Sequence, residues 1–404
     1  MSYTILNSSN LQEYLFSLPE INTFFNTDKL LIEEIGDGNL NFVFLVTSSS
    51  DPAKKLIVKQ AVPYLRCAGE SYPLSKERMT YEIRSLEYFS NLTPFVPKIH
   101  FSDEEMSVIV MEYLGEHIIM RKGMIEGAYY PDFAEHISSF LATTLFKTSS
   151  LYLSSSQKNE LTAMFIGNSE LCKLTEDFVF TAPFMKHDTN ADLPELADVA
   201  KQISEDEVLK VEILKLKYKF MNQSDALLHG DLHTGSIMIN KKETYVIDSE
   251  FAFVGPFGFD VGALVANLVM SWISHSIQDD DEKYSQWILE TTLEVWKLFE
   301  KKFLALWDET PQSALFEDGF ANEKMKKTYQ KDFMLTMLQE SIGFAGCKIM
   351  RRQLGIAGVE DIRGIENDEL REKANRLALR VGEQFIKNHK NITKIEDILE
   401  LLKA

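Results

Sequence analysis

Asp231, Asp248 and Glu250 are three carboxylates in one short stretch, Leu227 to Asn267, where they alternate with apolar runs. Carboxylates gathered at one point repel unless a cation lies among them, and an all-oxygen donor set suits a hard divalent ion such as Mg2+. Mg2+ in enzymes usually accompanies phosphate. A carboxylate in a polar loop beside it is placed to take the proton of a hydroxyl that attacks a phosphoryl group, which makes Asp231 the candidate base.

The elements that must position these groups are short. Ile237 to Ile239 and Tyr245 to Ile247 are β-branched runs around the polar turn Asn240-Lys-Lys-Glu243, and the pattern predicts a hairpin. Asp231 falls in the loop before its first strand, and Asp248 and Glu250 fall just past its second. Two residues apart in extended chain, the latter pair points the same way. His229 and His233 read as groups that orient the loop by hydrogen bonds. The alternative is that His229-x-Asp231-x-His233 ligates zinc or iron, with Asp248 and Asp260 in support, as in a metal-dependent hydrolase. Asp260, ahead of an apolar helix, is by default its N-cap or first-turn carboxylate.

Upstream, Leu30 to Ile35, Phe42 to Val46 and Lys55 to Val58 predict three strands, after a short amphipathic helix that starts near Asn10. The first turn holds Gly36, Gly38, Asn39 and Asn41. Its glycines either close a hairpin or bare backbone N–H groups to a nucleotide's phosphates. Lys59 ends the third strand. A helix from Ser75 to about Asn91 carries Met79, Ile83, Leu86 and Phe89 on one stripe, and Glu82 falls on that stripe. A carboxylate there is costly unless paired, and Lys59 is the candidate partner; the alternative is a stripe-edge glutamate that reaches solvent. Val96 to Phe101 and Met106 to Met111 form a further strand pair, and Glu112-Tyr113-Leu114 then acts as a connector. These elements predict a small lobe over residues 1–111, a hinge over 112–116 and a helical lobe over 117–404.

The whole chain sets limits. With 404 residues, 45% hydrophobic and 25% charged, it is an ordinary globular composition of two or three packed units. Its net charge of −19 argues against nucleic-acid or anionic-membrane partners. Cys67, Cys172 and Cys347 are scattered and odd in number, which suggests neither a disulfide framework nor structural zinc and fits a reducing cytoplasm. The first residues lack a secretion signal, and the longest apolar segment, Val261 to Ile273, contains Asn267 and is too short to span a bilayer.

Gly-rich turn, strand lysine, helix glutamate, connector, His-Gly-Asp loop and Asp-x-Glu, in that order, resemble the protein-kinase-like fold of small-molecule phosphotransferases. Gly36-Asp-Gly-Asn-Leu-Asn-Phe-Val-Phe44, Ile57-Val-Lys-Gln-Ala-Val-Pro63, Gly69-Glu-Ser71, His229-Gly-Asp-Leu-His-Thr-Gly-Ser-Ile237 and Glu250 to Asp260 are similar to the 5-methylthioribose kinase family, over nearly the whole chain. The resemblance implies an α+β two-lobe fold, with a small five-stranded antiparallel lobe and a large helical one. It implies ATP-dependent phosphorylation of 5-methylthioribose at its 1-hydroxyl, in methionine salvage, by a cytoplasmic enzyme. Lys59, paired with Glu82, would contact the ATP phosphates and Asn41 would help the Gly36, Gly38, Asn39 turn to close. Glu112, Tyr113 and Leu114 would bind adenine. Asp248 and Glu250, flanking Ser249, would hold Mg2+, and Asp231 would be the base, with His233 at the sugar. Two departures stand out. Ser236 occupies the place of a metal-binding Asn in aminoglycoside and choline kinases, and Ser249 replaces the usual Pro.

Asp332 to Met350 predicts a helix with Arg351-Arg352 at its end. The arginines either complement the helix C-terminus or turn toward one ligand; in the resembled family the pair reaches the sugar. Asn367 to Leu402 predicts two closing helices, and the resembled family commonly forms homodimers. The competing readings are a kinase of the same fold acting on choline, an aminoglycoside or homoserine, the metal-dependent hydrolase, and a non-catalytic nucleotide binder.

Overall fold

Alternation along three strands sorts the first unit into two faces. Phe44 and Val46, Leu56 and Val58, and Val108 and Val110 are buried together with Leu11, Leu15, Ile21 and Phe25 from the N-terminal helices. The residue after Val58 must point the other way. That residue is Lys59. The structure, a computed structural model, describes residues 3–35, 40–65, 69–278, 281–310, 315–316 and 319–403. Gly36, Gly38, Asn39 and Cys67 lie outside the described residues.

Two compact units are present, the first made of Met1–His117 with Tyr245–Ala252 and the second of Ile118–Thr244 with Phe253–Ala404. The first unit runs past the connector and takes in the Asp248 segment. Local bonds explain this: the Ser249 and Ser85 hydroxyls are 2.7 Å apart, and Val246 N–H donates to the Phe95 carbonyl at 2.7 Å.

The first unit begins with α1 (Leu11–Phe16) and α2 (Pro19–Phe25), followed by β1 (Leu30–Glu34), β2 (Asn41–Ser48) and β3 (Lys55–Ala61). A two-stranded ribbon, β4 (Tyr64–Leu65) with β5 (Gly69–Pro73), precedes α3 (Arg78–Ser90), β6 (Ile99–Asp103) and β7 (Val108–Glu112). The sheet is antiparallel in the order β1-β2-β3-β7-β6, with Val43, Lys59 and Ile109 in one cross-strand row. The ribbon was not foreseen. β6 starts later than expected because Pro97 has no N–H to give to a ladder. α3 starts at Arg78 because Ser75 spends its hydroxyl on the Glu77 N–H, at 3.1 Å, ahead of the helix.

The second unit opens with β8 (Ile118–Ile119), α4 (Met120–Ile125), α5 (Phe133–Lys147), α6 (Ser155–Phe165), α7 (Ser169–Phe178), α8 (Ala197–Glu205) and α9 (Glu207–Asn222). Short strands follow: β9 (Ala226–Leu228), β10 (Ile237–Ile239), β11 (Thr244–Val246), where the two units divide, and β12 (Phe253–Gly255). The chain ends with α10 (Gly258–Gln278), α11 (Glu282–Glu309), α12 (Glu323–Leu354), α13 (Glu360–Arg363), α14 (Asp368–Asn388) and α15 (Ile398–Leu402). β9 pairs with β12 and β8 with β10, and the Asn240 N–H closes its turn onto the Glu243 carbonyl at 3.1 Å.

α10 is apolar almost all round and is buried by α11 and α12, with α14 packed against both α12 and α10. The approach is close. A Cβ on Gly262 would run into the Ser341 carbonyl of α12, and one on Gly346 of α12 would lie 2.6 Å from the Gly382 carbonyl of α14. Glycine at both places lets three backbones sit near enough to hold α12 rigidly. α12 extends further than expected at each end, so Arg351 and Arg352 lie within its last turn rather than beyond it. Among the described residues no helix is long and apolar enough to cross a membrane.

Candidate active site

In the first unit the side chain of Lys59 points to the face that α3 covers, and Nζ lies 2.8 Å from Glu82 Oε1. The pairing expected from a charge on an apolar stripe is made. Lys59 also bonds the Asp248 carboxylate. Glu82, Asp248 and Glu250 each turn one carboxylate oxygen into a common space, all within 4.8 Å of one another. Burial acts against the Lys59 charge, but Asp248, Glu82 and Glu250 outweigh it and hold the ammonium protonated well above the ordinary lysine range. Burial pushes the Glu82 carboxyl up despite Lys59, and pushes Glu250 up with Asp248 adding repulsion.

Asp248 and Glu250 reach this space differently from what extended chain implies. Asp248 has φ 67, in the left-handed region that Asp tolerates better than most residues. The turn leaves its side chain 43% exposed while that of Glu250 is 2% exposed. Glu250 is fixed from behind: it accepts from Asn41 Nδ2 at 2.9 Å and lies 3.4 Å from Arg78 Nε. Arg78 is itself buried and donates to the carbonyls of Leu40 at 2.8 Å, Val62 at 2.9 Å and Ser75 at 2.7 Å, and to Asn41 Oδ1 at 2.9 Å. Asn41 therefore braces Glu250 against Arg78. Sequence reasoning missed Arg78. Its position at the head of the stripe that includes Met79 and Glu82 was the available signal.

An oxygen-only set of three carboxylates, two of them lifted by burial and mutual repulsion, fits a hard divalent cation at Asp248 and Glu250. Glu82 is already matched by Lys59. At the connector, the Glu112 N–H is taken by the Lys98 carbonyl and the Leu114 carbonyl by the His117 N–H, at 2.9 and 3.0 Å. The Tyr113 ring carries the Lys55 ammonium 5.2 Å from its centroid.

In the second unit the loop after β9 is tied to α10. Asp260, in the first turn of α10, accepts the backbone N–H groups of His229 at 2.6 Å and Gly230 at 3.0 Å. Gly230 has φ 85, a conformation that costs glycine nothing. The bend delivers Asp231, whose Oδ1 accepts from Lys348 Nζ at 2.9 Å and lies 3.8 Å from Arg351. Its Oδ2 is 3.3 Å from His233 Nε2. Burial resists the charge, yet Lys348, His233 and Arg351 together hold the Asp231 carboxyl well below the usual range. Burial, helped by Arg121 and Arg352 and opposed by Asp231, brings His233 down to about 4, so the ring is neutral near pH 7. A carboxylate only accepts, so Nε2–H points at Asp231 and Nδ1 faces the Ser236 hydroxyl at 3.2 Å.

Around this pair stands a cluster of cations. Arg121 of α4 bonds Asn267 of α10 at 3.0 Å and lies 3.2 Å from the buried Asp361 of α13. Arg352 donates to the Ala357 carbonyl at 3.1 Å. Neither Lys348 nor Arg121 was singled out from sequence. Lys348 precedes Arg351 by three and Arg352 by four, so it shares their helix face, and that spacing was the signal. The zinc or iron reading is not supported, because Asp260 spends both oxygens on backbone N–H groups and the Asp231 N–H donates to His229 Nδ1 at 3.3 Å.

Residues 31–294 match the model of the Phosphotransferase enzyme family. The chain is 39% identical to Methylthioribose kinase 1 of Oryza sativa subsp. japonica, across 98% of this chain and 94% of the rice protein. It is 41% identical to the Methylthioribose kinase of Geobacillus sp. (strain WCH70), across 92% of this chain and 90% of that one. Among solved structures, a choline kinase from Cryptosporidium parvum Iowa II superposes with a TM-score of 0.50 at 13% identity, over 98% of this chain and 99% of the other, a likeness of fold alone.

Proposed function

The chain belongs to the methylthioribose kinases, within the phosphotransferase enzyme family and its protein-kinase-like fold, and on that premise we propose that it transfers the γ-phosphoryl group of ATP to the 1-hydroxyl of 5-methylthioribose, in methionine salvage. What carries this reading is the match to kinases of that name along nearly the full chain. The site residues fit it.

The nucleotide belongs to the first unit. Lys59, held by Glu82, neutralises phosphate charge, and the connector Glu112-Tyr113-Leu114 takes the adenine. Asp248 and Glu250, with Ser249 between them, would hold Mg2+, and Asn41 with Arg78 keeps Glu250 in place. A divalent ion held by these residues would supply positive charge to offset the charge that develops on the phosphate. The sugar belongs to the second unit. Arg351 and Arg352 supply positive charge, His233 keeps the loop shaped around Asp231, and Asp231 receives the acceptor hydroxyl.

As the sugar oxygen bonds to the γ-phosphorus, the bond to the β-bridging oxygen breaks, ADP leaves, and the hydroxyl proton passes to Asp231. Lys348 and His233 make Asp231 a weak base, so the proton moves late and orientation is the larger part of its role. We include in the proposal a cytoplasmic homodimer. Val208, Leu214 and Tyr218, exposed along α9, are apolar surface of a kind that a second copy covers. Product analysis tests the chemistry: 31P NMR should show phosphate coupled to the anomeric proton, formed only with a divalent ion, and phosphate on another hydroxyl would refute the assignment.

A further inference from the structure

Lys348 is 4% exposed, carries a charge, and sits in the apolar run Phe344 to Met350 of α12. A buried ammonium needs a specific partner to be tolerated. Its Nζ has two: Asp231 Oδ1 at 2.9 Å and the ring of Phe259, whose centroid is 4.6 Å away. Phe259 is fixed in turn by Phe220, Phe253 and Phe344. The ammonium is thus placed by two elements, α12 and α10, that glycine contacts lock together.

We infer that Lys348 is a positioning residue for the phosphoryl transfer: its ammonium, seated on Phe259 and bonded to Oδ1, fixes the Asp231 carboxylate so that Oδ2, which faces His233 Nε2 at 3.3 Å, keeps its second lone pair for the acceptor hydroxyl. This rests on the function proposed above. Asp231 projects from a loop, and without Lys348 only the long His233 contact at Oδ2, 3.3 Å, would orient its carboxylate. Arg351, at 3.8 Å, is too far to replace the bond.

The groups that face the ammonium are Asp231 from the loop, Asp260 from α10, and Arg351 and Arg352 from its own helix. Burial, opposed by Asp231 and reinforced by Arg351 and Arg352, brings Lys348 down to about 8. Its proton is therefore lost on the alkaline side of neutrality, and an alkaline limb in kcat follows.

Lys348→Met and Lys348→Arg test this in the full-length enzyme. A charge-assisted bond of this kind is worth roughly 10- to 100-fold in rate, so Lys348→Met should lower kcat by that much with the KM for MgATP within about threefold. Lys348→Arg should recover most of the loss and move the alkaline limb upward, which a merely structural lysine would not do. Unchanged kcat in Lys348→Met, or an alkaline limb that stays put in Lys348→Arg, overturns the inference. A second reading needs no turnover: the 13C-carboxyl titration of Asp231 should move up by about one pH unit or more in Lys348→Met. No movement overturns the inference. If the wild-type protein did not phosphorylate methylthioribose, the proposed function would fall and the carboxyl titration alone would decide on Lys348.

Discussion

Asp260 Oδ2 accepts the backbone N–H of His229 at 2.6 Å, so a carboxylate in the first turn of one helix sets the path of the loop that carries Asp231. The second oxygen takes the Gly230 N–H. Asp260→Ala removes both acceptors from buried donors, each worth about 1–3 kcal/mol. The expected result is a kcat lower by roughly one to two orders of magnitude with nucleotide affinity unchanged, read by steady-state kinetics beside calorimetric ATP binding. A loss confined to nucleotide affinity would contradict the loop-bracing role.

Lys59→Met should weaken MgATP binding by roughly 10- to 100-fold, since one charge-assisted phosphate contact is lost. It should also lower the Tm, because Glu82, 1% exposed, is left without its partner. ATP titration and a thermal melt read the two effects separately. Wild-type nucleotide affinity would remove Lys59 from the phosphate site.

Arg78 and Arg84 lie on the same helix and make a controlled pair. Arg78 is 2% exposed and braces Asn41 and Glu250, whereas the Arg84 side chain, 35% exposed, meets Glu104 at 2.8 Å. Arg78→Met should cost about 3–5 kcal/mol and Arg84→Met within roughly 1 kcal/mol, measured by denaturant unfolding. Equal losses would mean that the Arg78 network contributes no more than a surface ion pair.

How much of this was legible in the sequence depended on whether a residue broke a local pattern. Lys59 and Glu82 were legible because charges on apolar faces need each other, and Asp231, Asp248 and Glu250 because carboxylates crowd one stretch. The five strands followed from alternation. Asp248 was found for the wrong geometric reason: extended chain was assumed, and the backbone turns left-handed there. Arg78 and Lys348 were hidden because arginine and lysine on a helix ordinarily reach solvent, and only the tertiary packing of α3 and α12 shows that these two do not. The full length of α12 escaped although both end signals were present, Asn322 as its N-cap and Gly355 as its C-cap.

His233 gives a stability signature in pH. In the fold it stays neutral down to about pH 4, whereas in the unfolded chain it takes a proton near its ordinary value of 6.5. The unfolded state binds more protons across that window, so stability is full above about 6.5 and falls as pH is lowered toward 4. The histidine's share is roughly 1–3 kcal/mol. Asp231, held well below the usual range, contributes its own loss only at lower pH. His233→Gln should flatten the Tm profile between pH 6.5 and 4; an unaltered slope would contradict the neutral ring.

The account meets its most direct test in ADP release from MgATP, compared across methylthioribose, ribose, choline and an aminoglycoside, with and without EDTA. The predicted result is strong turnover on methylthioribose, at least about tenfold above any other acceptor in kcat/KM, and its loss on chelation. Turnover led by choline or the aminoglycoside, or an EDTA-resistant rate on methylthioribose, would contradict it.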